Sequence, residues 1–129
     1  MSAINVYLAG PMRGIKGYNQ QAFIVATACL RDAGFNVFSP AEEDRRKFPD
    51  RDWDNMTGDI AADGLTFDDM RVLIRADLNW ICDNANMLVL LPGWDRSKGA
   101  KLEKALAEFL GLEIRFWDNH TMTLLDANA

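Results

Sequence analysis

Residues Ile4 to Gly10, INVYLAG, form a nearly continuous apolar run of β-forming residues, and a glycine- and proline-bearing turn, GPMRG, follows at once. That run fits a strand covered on both faces, as in a parallel sheet. Helical spacing then begins at Asn19, with Ala22, Phe23, Ala26 and Leu30 on one face and Gly34 as the stop. FNVFSP reads as a second strand broken by Pro40. Strand, helix and strand in this order predict a right-handed parallel β-α-β unit, which commits the chain to helices packed on a sheet.

The rest of the pattern continues the theme. Thr66-Phe67-Asp68-Asp69 resembles a capping box, with Asp in place of Glu or Gln, and opens a helix to about Asn84. NMLVLLP is a buried strand, DRSKGAKLEKALAEFLG a helix ending at Gly111, and LEIRFW a final strand. The reading is one α/β domain over residues 1–129, a three-layer sandwich with a mainly parallel sheet of four to five strands. Residues 41–64 interrupt it as a charge-crowded loop without clear period, either a solvated excursion or a lid carrying Trp53 and Met56. Ligands in such sheets gather at the carboxyl ends of the strands, which here are Gly10–Arg13, Pro40–Asp44 and Pro92–Gly99.

Composition narrows the chemistry. A net charge of -5 argues against binding a nucleic-acid polymer, while a small phosphorylated ligand needs only local donors. No apolar run is long enough to span a bilayer. Cys29 and Cys82 read as buried reduced thiols in a cytoplasmic protein without a signal sequence. His120 is the only histidine, and no cysteine pair has ligand spacing, so neither a metal site nor a catalytic histidine is expected. Acid–base work falls to carboxylates.

Two carboxylates stand out of place. Leu73 and Ile81 lie about 80° apart on a helical wheel with Asp77 projecting between them and Trp80 alongside. A carboxylate centred on an apolar face is costly unless partnered. In the later helix Leu102, Ala105, Leu106 and Phe109 read as the core stripe, with Lys101, Lys104 and Glu108 on the far side. Glu103 falls on the border of the apolar stripe, near the helix N-terminus, where the dipole favours an anion. Paired carboxylates suit cleavage at an anomeric carbon, whose cation-like transition state an anion stabilises and can trap covalently. Ser97 and the backbone N–H groups at that helix start offer an anion site, or simply a cap.

YLAGPMRG, RADLNWICDNANMLVLLPG and SKGAKLE, in this order, resemble the nucleoside 2-deoxyribosyltransferase family. That family includes the deoxynucleoside monophosphate N-glycosidases and a small branch common in phage genomes. The resemblance implies a flavodoxin-like, Rossmann-like fold and a retaining mechanism without cofactor or metal. It makes Glu103, four residues after Gly99, the nucleophile. Asp77 would assist the departing base or hold the sugar. Tyr7, Gly10, Pro11 and Met12 would lie near the base and sugar, and Arg13, Gly14 and Ser97 would hold a 5′-phosphate. Pro11 stands where those glycosidases have serine, and Ala100 where many transferases have threonine. The implied activity is cleavage or transfer at the N-glycosidic bond of a deoxynucleoside or its 5′-monophosphate. The alternative is a module of the same fold that binds a nucleotide or ADP-ribose-type ligand without turnover. The resemblance also implies a homo-oligomer with pockets near subunit interfaces; Phe116, Trp117 and Met122, near an exposed terminus, read as residues that an interface would cover, and Asn119 as a candidate for reaching a neighbour's pocket.

Overall fold

The computed structural model describes residues 3–125. Strand β1 (Asn5–Ala9) leads through a tight turn to helix α1 (Gln20–Asp32), then to β2 (Asn36–Phe38) and α2 (Pro40–Lys47). A long connection with one short 3-10 turn reaches α3 (Phe67–Asn84) and β3 (Met87–Leu90). Helix α4 (Lys98–Leu110), β4 (Glu113–Asp118) and β5 (Thr123–Leu125) complete the chain. The sheet order is β2-β1-β3-β4-β5, parallel except for the antiparallel β4–β5 pair. This is the expected three-layer α/β architecture with five strands, consistent with a flavodoxin-like sandwich. Among the described residues no helix is long and apolar enough to cross a membrane.

Alternation along β1 divides the core. Val6 and Leu8 join Phe23, Ala26, Leu30 and Val89 beneath α1. Tyr7 and Ala9 face the other way, toward Ile81, Leu90 and Ala107 beneath α3 and α4. Both faces of β1 are therefore covered, which is why its sequence carries no polar alternation. The capping box of α3 is present in both directions, Asp69 N–H to Thr66 Oγ1 at 3.0 Å and Thr66 N–H to Asp69 Oδ2 at 2.9 Å.

Four expectations need correction. Residues 41–64 are not a loop throughout, because α2 occupies their first part. Pro40, read as a strand breaker, sits at the start of α2, where its missing N–H costs nothing. Glu42 and Glu43 in the first turn and Arg45, Arg46 and Lys47 in the last suit the helix dipole. The remainder is no solvated excursion either. Trp53 is buried and packs with Tyr18, Leu65 and Leu73 in a third core. Asp63 accepts hydrogen bonds from Thr57, Gly58 and the Tyr18 hydroxyl, and Gly14 and Gly17 donate backbone N–H bonds to Gly58 and Met56.

The stripe read for α4 is also reversed. Its buried residues are Ala100, Glu103 and Ala107, while Leu102 and Phe109 are exposed, Phe109 at 88%. Small alanines let the helix lie close to the sheet, and the bulky residues are left on the outside. Cys82, expected buried, is exposed, since it lies one step past the Leu73-Asp77-Ile81 stripe; Cys29 is half-buried. Finally, Trp117 packs into the α1-side core and Phe116 lies against Trp94, so of the three proposed interface residues only Met122 is exposed.

Candidate active site

The site grows from the carboxyl end of β1. Tyr7 hangs from a strand paired on both edges and is fully buried, its ring stacked on Phe38 at 5.6 Å, and Phe38 in turn on Trp80 at 5.1 Å. With its ring so fixed, the Tyr7 hydroxyl donates a hydrogen bond to Glu103 Oε2. Gly10 follows because no side chain fits there: a Cβ would lie 2.8 Å from that of Leu91. Gly14 answers a different need, a backbone φ of 83° in the turn.

Three buried carboxylates converge beneath this turn. Glu103 comes from the buried face of α4, Asp77 from the Leu73–Ile81 stripe of α3, and Asp44 from α2. Burial is the largest cause of a raised pKa in each. Asp77 is pushed up to about 9 by burial and then by the nearby charges of Glu103, Asp44 and Glu43, while the Tyr7 hydroxyl opposes. Glu103 rises to about 7 through burial, held back by its bond from Tyr7. Asp44 rises to about 7 through burial, opposed by the Gln20 amide, which donates to it at 3.4 Å. Asp77 Oδ1 is buried without a hydrogen-bond partner. At neutral pH Asp77 therefore holds a proton, while Glu103 is divided between its neutral and anionic forms. Carboxylates whose environments push their pKa values apart can act as acid and nucleophile.

All three face one cavity of about 610 Å³. Its walls are apolar, from Met12, Tyr18 and Trp53 to Phe67, Met70 and Leu73. Four cations, Arg13, Arg71, Arg96 and Lys98, also line it. Helix α4 starts there, capped by Ser97 Oγ, which accepts from Ala100 N–H at 3.1 Å. The cavity thus combines an acidic floor, apolar walls and basic groups beside a helix N-terminus.

Of the residues singled out from sequence, Gly10, Met12, Arg13, Asp77, Ser97, Gly99 and Glu103 line this cavity. Tyr7 reaches it through Glu103. Gly14 lines neither it nor a second, smaller cavity, and Pro11 lines only the second. Arg13 forms no ion pair among the described residues, so no acid from residues 42–54 claims it. Sequence reasoning names the Pro40–Asp44 strand end but not Asp44 itself. The signal is available in the spacing of Ala41 and Asp44, both buried on one face of α2. It also misses the wall residues Tyr18 and Phe67 and the cations Arg71, Arg96 and Lys98.

A family model described as a domain of unknown function, DUF4406, matches residues 4–116. The match runs from just before β1 into β4 and includes every residue of the acidic floor. The chain belongs to that family. No curated protein matches it in sequence.

Proposed function

We propose that this DUF4406 domain is an enzyme acting on the N-glycosidic bond of a deoxynucleoside or its 5′-monophosphate. One observation carries the reading: Glu103 is buried at the cavity floor, held by the Tyr7 hydroxyl, and a second buried carboxyl group, Asp77, lines the same cavity. In this reading the Glu103 carboxylate attacks C1′ as the bond to the base breaks, and Asp77 gives its proton to the departing nitrogen. A glycosyl ester on Glu103 results. Water or a second base then attacks C1′, Asp77 takes back a proton, and Glu103 is released. A binder of anions gains nothing from three buried acids beneath its ligand, since burying them is costly and any of them that ionises repels phosphate.

The apolar walls suit a base, and Arg13 with the α4 N-terminus suits a 5′-phosphate. The same reading includes a cytoplasmic homo-oligomer. Its interface is better offered by Phe109 and Leu110 on the outside of α4 than by β4. The test is free-base release from a panel of deoxynucleosides and their monophosphates by the wild type and by Glu103→Gln. Release that the variant abolishes supports the mechanism; release that survives the substitution refutes it. Binding without release by the wild type would favour the binding module.

A further inference from the structure

Arg13, on the turn after β1, and Arg96, on the short turn before α4, line both the large cavity and a second one of about 310 Å³ beside α1. Neither guanidinium has an ion-pair partner among the described residues, although the chain carries more acids than bases. Arg96 leans toward the β1 turn because Gly93 has no side chain. A Cβ there would lie 3.1 Å from Pro11 Cγ and 3.4 Å from Arg96 Nη2. The two cations thus share one lip between two cavities.

The backbone divides at the same place. Gly17, Tyr18 and Asn19 all adopt left-handed conformations, with φ of 64°, 54° and 60°. Two successive non-glycine residues in that region are strained. The effect of the turn is to line the large cavity with Tyr18 and the small one with Asn19. Asn19 Nδ2 donates to the Pro11 carbonyl at 2.9 Å, which pins the amide beside the lip. Asn119, beyond β4, lines the same small cavity.

A single phosphate beside the α4 N-terminus would need one arginine. A second arginine on the same lip, with two side-chain amides in the small cavity, fits a longer anion. Resting on the N-glycosidic reading above, we propose that the preferred ligand is a nucleoside 5′-diphosphate or an ester of one. The base and sugar occupy the large cavity, the pyrophosphate crosses between Arg13 and Arg96, and its distal group enters the small cavity near Asn19 and Asn119.

Calorimetric titration tests this with deoxynucleosides, their 5′-mono- and 5′-diphosphates, and inorganic pyrophosphate, against the wild type, Arg96→Gln and Asn119→Ala. The wild type should bind the diphosphate about tenfold or more tighter than the monophosphate, since one charge-assisted contact is at stake. Arg96→Gln should bring the two within about twofold of each other, and Asn119→Ala should narrow the gap in the same direction. Equal wild-type affinity for mono- and diphosphate would overturn the proposal, and base release from the monophosphate would then leave the glycosidic reading standing. Pyrophosphate binding that depends on Arg96, without base release from any nucleotide, would support the anion lip and remove the enzymatic reading.

Discussion

Replacing Asp77 by asparagine should stabilise the protein while disabling it. The folded state holds the Asp77 proton up to about pH 9, whereas an unfolded chain releases it near the ordinary value of 3.8. A carboxyl group whose folded pKa is raised contributes its full stability below the unfolded pKa and loses it as pH rises through the folded one. The loss is roughly 1.4 kcal/mol for each pH unit above 3.8, so at pH 7 the wild type forgoes about 4 kcal/mol on this group. The substituted side chain would carry no charge to lose, but its amide brings N–H donors to a place where Asp77 Oδ1 already lacks a partner. That offsets about 1–3 kcal/mol, leaving a net gain of about 1–3 kcal/mol at neutral pH. Urea unfolding of both proteins at several pH values from 4 to 8 measures it. The variant should gain on the wild type steadily as pH rises, and it should release no base. A stability difference that stays flat with pH would refute the reasoning, because it would mean that Asp77 is already charged in the fold.

Tyr7→Phe keeps the ring stack but removes the donor that lowers the Glu103 pKa. Turnover at pH 7 should fall about tenfold, with the acid limb of the rate profile displaced upward; an unmoved limb would exclude Glu103 as the titrating group. Arg13→Ala should weaken a 5′-monophosphate about 10- to 150-fold and leave the free deoxynucleoside as before, and equal losses for both ligands would make Arg13 structural. Gly10→Ala drives a methyl group into Leu91, 2.8 Å away, and should cost about 1–3 kcal/mol in denaturant titrations; an unchanged midpoint would mean that Leu91 yields freely.

The elements legible in the sequence are those whose pattern is local. β3 is apolar end to end and β1 is so after Asn5, and α3 announces itself with reciprocal caps and a stripe that carries Asp77 in phase. Glu103 emerges from a wheel that is half wrong. It lies at the centre of the buried face, not at its border, because the sheet accepts Ala100 and Ala107 and turns Leu102 and Phe109 outward. Helix α2 escapes notice because its exposed side is nearly all charge. The burial of Asp44 depends on α3 and α1 closing over it, which no window of eight residues records. β5 is three residues long, and its place is set by pairing with β4 and by Leu124 packing on the core, neither of which a window of three residues records.

The strand that carries Tyr7 has a neighbour on each edge and helices on each face. The tyrosine that holds Glu103 is therefore part of the architecture, and descendants of this fold can alter it only by disturbing the sheet. The wall formed by Trp53, Ile60 and Leu65 hangs instead from the stretch between α2 and α3, tied to the body through Asp63 and the backbone bonds of Gly14 and Gly17. Divergence has free rein there. Members of the family that differ in the ligand they accept should differ first in that excursion, in length as well as in sequence, while Tyr7, Asp77 and Glu103 pass unchanged from one to the next.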